Sequence, residues 1–228
     1  MVDLSKLEKK LGVKFHDRAL LDCALVHRSY LNEHGDKLSN ERLEFLGDAV
    51  LELVVTAYLF ERFPTKDEGV LTSFRSAVVR GANLAQVGKK IGIGDYLYLS
   101  KGEEASGGRN KHYILANTVE ATIGAIFLDH GFDVSKKFIQ EWILVTLEEI
   151  ISDGLYLDAK THFQERSQEL ENVTPHYKVL REVGPDHAKV FTVGIYIGQT
   201  AVAEGTGASK QEAEESAARA GLNVKGWL

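Results

Sequence analysis

The chain has few of the features that mark secreted or membrane-bound proteins. Its 228 residues include one cysteine, Cys23, which excludes a disulfide framework within the chain and favours a reducing cytoplasm. No apolar run reaches the length of a membrane span, because Glu52 and Tyr58 interrupt the nearest one, Leu51–Phe60. The N-terminus is polar and amphipathic and does not resemble a signal peptide. We therefore expect a cytoplasmic protein without a membrane segment.

Positive charge is also scarce. The chain has 27 Lys and Arg against 33 Asp and Glu, a net charge of −6, which argues against nucleic-acid binding through bulk positive charge. A bound Mg²⁺ ion would let an acidic protein bind a negatively charged substrate, because the ion makes the electrostatic potential at its site positive. The sequence shows no Ser-His-Asp or Cys-His arrangement, and its eight histidines lack metal-ligand spacing.

Hydrophobic periodicity predicts an all-α domain over residues 1–154. The predicted helices are Leu4–Leu11, Asp17–His27, Asn40–Phe63, Lys66–Ile91, Asn110–His130 and Val134–Ile151. Ser39 or Asn40 is expected to cap the third helix. Thr65 and Glu68 have the spacing of a capping box on the fourth. The glycine-rich segment Lys101–Arg109 is expected to be a mobile loop.

The pattern changes after residues 152–157, where a second domain, residues 158–228, is predicted. A helix is followed by three strand-like runs and a last helix that opens with a Ser-Glu capping box. Their predicted bounds are Ala159–Glu171, His176–Val183, Ala188–Ile197, Gln199–Gly205 and Ser209–Leu222. We therefore predict an α-β-β-β-α module, so that the fold class is an all-α domain plus an α+β domain.

Three carboxylates stand out in the segment NERLEFLGDAVLEL, residues 40–53. On a helix, Glu41, Glu44 and Asp48 fall within a sector of about 60°. The opposite side is expected to be buried through Leu43, Leu46, Val50, Leu53 and Val54. Like charges this close repel each other unless a cation neutralises them, and a hard divalent ion prefers such oxygen ligands. A solvated acidic face is the alternative.

A second helix supplies matching groups. Asn117 and Glu120, in ILANTVEATIGAIFLDHG, are three residues apart and share a helix face. Two helices that present such groups to each other can form an oxygen cage for Mg²⁺. Water activated by the ion can then attack a phosphodiester. A purely structural Glu120 is the alternative.

These segments resemble a known family. NERLEFLGDAVL is similar to the signature of bacterial ribonuclease III, the double-stranded-RNA endonuclease. Other segments match in the family's order: ALVHRSY (Ala24–Tyr30), FPTKDEGVLTSFRSAVVRGANLA (Phe63–Ala85) and ILANTVEATIGAIFLD (Ile114–Asp129). The C-terminal module resembles the family's double-stranded-RNA-binding domain in three segments: DAKTHFQERSQE (Asp158–Glu169), GPDHAKVFTV (Gly184–Val193) and GTGASKQEAEESAA (Gly205–Ala218).

The resemblance implies an Mg²⁺-dependent endonuclease, with Mn²⁺ as a substitute ion, that acts in rRNA and mRNA processing. Its products would carry 5′-phosphates and two-nucleotide 3′ overhangs. The implied metal ligands are Glu44, Asn117 and Glu120, and the implied catalytic residues are Asp48, Glu120 and Glu41.

The resemblance also implies a homodimer. Phe45 falls on an aromatic position that contacts the partner subunit, with ordinary core packing as its alternative. Glu68 falls on an outer position of the acidic cleft, with the capping box as its alternative.

One residue departs from the family. Asn117 replaces an aspartate, and its amide offers Mg²⁺ one uncharged oxygen instead of two charged ones. Weaker metal binding and slower cleavage are expected. Three explanations remain open: an engineered substitution, a natural variant, or compensation by another carboxylate such as Glu52. A double-stranded-RNA-binding protein that no longer cuts is the alternative function.

Polar residues on the first helix of the second module suit RNA recognition. Thr161, Gln164 and Gln168, spaced i, i+3 and i+7, can reach the 2′-hydroxyls and base edges of a shallow minor groove. By the resemblance, His187 would contact a second minor groove and Lys210 a phosphate at a helix N-terminus. The family usually has more than one basic residue at the start of this helix. We therefore expect modest affinity for RNA that falls with salt concentration. The alternative for each of these polar residues is that it is merely exposed to solvent.

Overall fold

The computed structural model describes residues 3–35, 37–156, 158–185 and 189–227. The chain divides into two compact units, Met1–Tyr156 and Leu157–Leu228. Helices form the first unit, and the second combines helices with an antiparallel sheet, so the predicted fold class is confirmed. No helix in the described part of the chain combines the length and apolar character needed to cross a bilayer.

The first unit is built from helices numbered here in chain order. They are α1 Leu4–Leu11, α2 Arg18–Ala24, α3 Glu41–Arg62, α4 Glu68–Val79, α5 Gly81–Ile91, α6 Lys101–Ala105, α7 His112–His130, α8 Phe132–Trp142 and α9 Leu147–Ser152. Short 3₁₀ turns at Arg28–Asn32, Ile93–Tyr96, Gly108–Asn110 and Leu144–Thr146 connect several of them.

Two long predicted helices are each divided in the structure. The predicted helix 66–91 is α4 and α5, separated at Arg80, whose backbone is extended (ψ 137°). The Asn83 side chain donates to the carbonyl of Val78 at 2.7 Å and thereby satisfies the end of α4. The predicted helix 134–151 is likewise α8, a 3₁₀ turn and α9. Periodicity missed both breaks because the flanking helices bury apolar residues in one common core.

Three local predictions in this unit differ from the structure, wholly or in part. Asp67, and not the predicted Thr65, caps α4, because its side chain accepts a hydrogen bond from the Val70 amide. Asn40 is the N-cap residue of α3, one of the two predicted positions, but its side chain makes no cap hydrogen bond and donates to the Ala24 carbonyl instead. Residues 101–109, predicted as a mobile loop, begin with helix α6 and enter a 3₁₀ turn.

Helices α3 and α7 form the centre of the first unit and touch backbone to backbone. A Cβ atom on Gly47 would overlap the carbonyl oxygen of Glu120, and one on Gly124 would overlap that of Leu43. The buried side of α3 is therefore centred on Gly47 and Leu51. The prediction that Leu53 is buried was wrong, because this side chain is 58% exposed.

The second unit has the predicted α-β-β-β-α order. Its elements are α10 Ala159–Glu171, β1 His176–Val183, β2 Val190–Ile197, β3 Thr200–Gly207 and α11 Lys210–Lys225. The strands pair antiparallel in the order β1-β2-β3. Phe163 from α10, Val193 and Ile195 from β2 and Leu222 from α11 form its core. Ser209 caps α11 as predicted by accepting from the Glu212 amide.

Candidate functional site

The contact between α3 and α7 creates an acidic cleft. Because Gly47 and Gly124 let the two backbones meet, Glu44 and Asp48 on α3 come close to Glu120 on α7. Glu44 and Glu120 are half-buried, whereas Asp48 is exposed. The carboxylates that the sequence predicted on one face of α3 therefore lie beside the Glu120 carboxylate of α7.

The electrostatics of the cleft show uncompensated negative charge. Burial, followed by repulsion from Asp48 and Glu44, raises the pKa of Glu120 to about 7. Burial also raises the pKa of Glu44, and repulsion from Glu41 and Asp48 adds to this effect. Such shifts arise where carboxylates are desolvated beside like charges, which is frequent at functional sites.

Asn117 lies against Glu44 in this cleft. Its side-chain amide interacts with the Glu44 carboxylate and partly offsets the rise in the pKa of that group. An aspartate at the same place would add a fourth acidic group to the repulsion between Glu44, Asp48 and Glu120. The amide therefore relieves charge in the metal-free protein, although it is a weaker ligand for a cation.

Glu41 lies at the outer edge of the acidic stripe. Its carboxylate accepts a hydrogen bond from the Ser39 hydroxyl at 2.8 Å. The exposed guanidinium of Arg28 is 4.0 Å from its other oxygen and also lowers the pKa of Glu44. The sequence interpretation missed this cation, although Arg28 lies in the quoted segment ALVHRSY.

Two other acidic residues remain outside the cleft of a single chain. Glu52 is exposed on α3, and neither Glu52 nor Glu68 is among the charges that raise the pKa values of Glu44 and Glu120. Glu68 lies in the first turn of α4, where it accepts a hydrogen bond from the Thr72 hydroxyl at 3.3 Å. It lines a groove of about 440 Å³ beside Phe60.

Phe45 is not a core residue. Its side chain is 81% exposed, so the alternative of ordinary core packing was wrong. Ala49, Leu53 and Phe60 are exposed on the same side of α3, and Phe60 is 72% exposed. Exposed apolar surface of this kind typically marks an interface.

The donors of the cleft fit a hard divalent cation. Glu44, Asp48, Glu120 and Asn117 offer only oxygen atoms, which suits Mg²⁺ or Mn²⁺ and not a softer metal. Besides burial, repulsion between Glu44, Asp48 and Glu120 contributes to the raised pKa values of Glu44 and Glu120, and a bound cation would offset this repulsion.

In the second unit, Thr161, Gln164 and Gln168 lie exposed on one face of α10. The Gln168 amide donates to the Asn172 side chain at 3.0 Å, so this residue is partly held in place. Lys210 is the first residue of α11. His187, the other predicted RNA contact, lies outside the described residues.

A polar groove of about 540 Å³ connects two of these regions. It is lined by Thr161 near the start of α10 and by Ser209 and Gln211 at the start of α11. Acidic side chains share this lining, and the one lysine in it, Lys160, is paired with Glu214 at 2.6 Å. Among the described residues, this groove therefore offers few cations to a polyanion.

These features indicate the class of protein to which the chain belongs. The acidic cleft between two central helices is typical of a helical nuclease domain, and the α-β-β-β-α module is typical of a double-stranded-RNA-binding domain. Residues 17–147 match the Ribonuclease-III-like family model, and residues 159–225 match the double-stranded RNA binding motif. The chain belongs to the ribonuclease III family.

Its relatives are similar along nearly the whole length. The chain is 42% identical over 222 residues to Ribonuclease 3 of Borreliella burgdorferi, covering 97% of this chain and 91% of that protein. It is 43% identical over 224 residues to Ribonuclease 3 of Dehalococcoides mccartyi, covering 97% and 94%. The solved nuclease domain of ribonuclease III from Campylobacter jejuni superposes with a TM-score of 0.59 at 42% identity, covering 62% of this chain and 96% of that one.

Proposed function

We propose that this chain is an Mg²⁺-dependent endonuclease that hydrolyses double-stranded RNA to 5′-phosphate products with two-nucleotide 3′ overhangs. The nuclease domain is residues 1–154, and the RNA-binding domain is residues 158–228. The α3–α7 cleft carries this proposal, because it gathers oxygen donors and excess negative charge around Glu120. The relatives named Ribonuclease 3 support the substrate class. A cytoplasmic role in rRNA and mRNA processing belongs to the same proposal.

Glu44, Asn117 and Glu120 would hold the ion. When bound, Mg²⁺, or Mn²⁺ in its place, supplies an activated water and stabilises charge on the phosphate. Asp48, exposed at the mouth of the cleft, orients the attacking water and accepts a proton. Glu41, held by its hydrogen bond from Ser39, supports the outer side of the same water network.

Asn117 makes this chain a slower enzyme in our proposal, because the cleft lacks one carboxylate ligand. Compensation by Glu52 is disfavoured, since this exposed side chain does not act on the pKa of Glu44 or Glu120. The same amide is the observation that favours the second candidate function, a double-stranded-RNA-binding protein that does not cut.

The deciding experiment compares this chain with its Asn117→Asp variant on a long double-stranded RNA in excess Mg²⁺. We expect cleavage to accelerate at least about tenfold, because a charged bidentate ligand replaces a neutral one. Asn110→Asp, an exposed asparagine outside the cleft, is the matched control and should leave the rate unchanged. Equal cleavage rates for the Asn117→Asp variant and the unchanged chain would show that residue 117 does not bind the metal ion. RNA binding without cleavage in both would establish the non-cutting candidate.

We further propose a homodimer in which Phe45 of each subunit inserts into the groove beside Phe60 of the other. A two-fold interface of this kind needs a projecting residue and a groove on each copy, and each chain has both. Because Glu68 lines this groove and Phe45 follows Glu44 in the sequence, Glu68 would come close to the partner's cleft. Sedimentation should show a dimer that Phe45→Glu dissociates. Leu38→Glu, at another exposed apolar residue, should leave the dimer intact.

A further inference from the structure

Three side chains that the acidic cleft does not use meet at the C-terminal end of α7. His16, Asp129 and His130 place their ligand atoms all within 4.8 Å of one another, the one set of three His, Cys, Asp or Glu side chains in the described part of the chain that could hold a metal ion in this way. His16 Nδ1 is 3.5 Å from Asp129 Oδ2, and His130 Nε2 is 2.9 Å from the same oxygen. The sequence hid this set because His16 and Asp129 are 113 residues apart.

We propose that His16, Asp129 and His130 bind a divalent transition-metal ion of the zinc type. Zinc bonds of about 2.0–2.2 Å to nitrogen and oxygen place the ligand atoms of a tetrahedral ion roughly 3.3 Å apart. The observed separations of 2.9 and 3.5 Å lie on either side of this value. The third separation, between the two histidine nitrogens, lies within 4.8 Å, and rotation of the exposed His16 ring would adjust it to the ion.

The carboxylate of this site is already oriented. Asp129 is 3% exposed at its side chain and accepts hydrogen bonds from the backbone amides of His16 at 2.8 Å and Asp17 at 2.9 Å. Burial alone would raise the pKa of Asp129, but these amides and the two histidines hold it below its usual range. Second-shell hydrogen bonds of this type commonly fix metal-binding side chains.

The histidines are reachable and can change partners. The His16 side chain is 77% exposed and that of His130 is 15% exposed. His130 also lines a groove of about 240 Å³ that provides an entry path. Its Nε2 lies between two oxygen atoms, 2.9 Å from Asp129 Oδ2 and 3.0 Å from the Lys14 carbonyl oxygen. To bind the ion, neutral His130 would offer the Nε2 lone pair and keep its ring proton on Nδ1, and the Lys14 carbonyl lies beside it as a further oxygen donor.

The ligand types separate this site from the acidic cleft. Imidazole nitrogens favour Zn²⁺, Ni²⁺ and Cu²⁺, whereas carboxylate and amide oxygens favour Mg²⁺. An occupied site would join the segment 14–17, between α1 and α2, to the end of α7. Its role is therefore structural, and its occupancy does not depend on RNA cleavage.

The test is calorimetric titration of the full chain with ZnCl₂ in excess MgCl₂, which competes with Zn²⁺ for the oxygen-only cleft. We expect one Zn²⁺ per chain and an affinity that falls at least about tenfold in His16→Ala and in His130→Ala. His112→Ala, an exposed histidine at the other end of α7, is the matched control and should bind as the unchanged chain does. His16→Cys supplies another zinc ligand and should retain binding.

The His16→Ala variant should fold normally, because the His16 side chain is exposed and leaves no cavity in the core when it is removed. Circular dichroism should confirm the same fold before Zn²⁺ is added. Failure to bind Zn²⁺ in excess Mg²⁺, or equal affinity in His16→Ala and the unchanged chain, would overturn the proposal. The cluster would then be only a hydrogen-bonded link between segment 14–17 and α7.

Discussion

The two units of this chain hold their proposed functional side chains in opposite ways. In the first, Glu44 and Glu120 are half-buried between helices that are distant in sequence, and their pKa values are raised. In the second, Thr161 and Gln164 lie exposed on a single helix. The cleft thus depends on the packing of the whole unit and opposes its stability. The RNA-binding face depends on local structure and contributes little to the stability of its own unit.

The strongest test of this difference is the glycine that lets α3 meet α7. Gly47→Ala places a Cβ atom against the carbonyl of Glu120 and must push the helices apart. We expect the free energy of unfolding of the first unit to fall by about 3 kcal/mol, and cleavage to fall with it. Urea denaturation followed by circular dichroism would measure the change.

Gly102→Ala is the matched control, because a Cβ atom there meets nothing within 4 Å. It lies in helix α6, where alanine favours the helical state by up to about 1 kcal/mol, so stability should stay equal or rise. If Gly47→Ala were as stable as Gly102→Ala, the close contact between α3 and α7 would not hold the cleft together.

The second test separates activity from stability within the cleft. Glu120→Gln keeps the shape of the side chain but removes its charge, and cleavage in Mg²⁺ should fall at least about 100-fold. Without metal, the same variant should be more stable than the unchanged chain at pH 8, by roughly 1–2 kcal/mol after solvent screening is allowed for. Chemical denaturation in EDTA at several pH values would measure the difference.

The pH window of this gain follows from the pKa of Glu120, which rises from 4.5 to about 7 on folding. Between these values the folded state keeps its proton while the unfolded state has lost it, so the stability of the unchanged chain falls as the pH rises. Glutamine does not titrate. The advantage of the variant should therefore be absent below pH 4.5, grow through this window and be complete above pH 7. A pH-independent advantage would contradict the raised pKa.

Local elements were predictable from the sequence, whereas breaks within long helical patterns were not. The bounds of α1, α10 and β1 agree with the prediction residue by residue. The division at Arg80 and the exposure of Leu53 were missed, because both depend on what packs against the helix. Periodicity reports that one side is apolar, but an apolar side can face either the core or a partner subunit.

Candidate sites formed by residues close together in the sequence were easier to predict than sites that join distant segments. The face shared by Glu41, Glu44 and Asp48 follows from helix spacing alone, and so does that of the polar residues on α10. The resemblance implied that Glu44, Asn117 and Glu120 share one cleft, whereas no spacing rule indicates the two glycines that let α3 meet α7. The set of His16, Asp129 and His130 joins distant segments and was invisible in the sequence.

The smallest expected effect tests the other side of the comparison. Gln164→Ala removes an exposed amide proposed to bind 2′-hydroxyls, so affinity for a short duplex RNA should fall about two- to tenfold, the loss of one or two hydrogen bonds. The midpoint of thermal unfolding should stay within about 1 °C, because no core contact is lost. Gln199→Ala, an exposed glutamine in the turn between β2 and β3, controls for general surface effects and should leave the affinity unchanged.

Equal affinities for both variants would show that Gln164 on α10 does not contribute to RNA binding. A large loss of stability in Gln164→Ala would show instead that the second unit, like the first, couples its function to its packing.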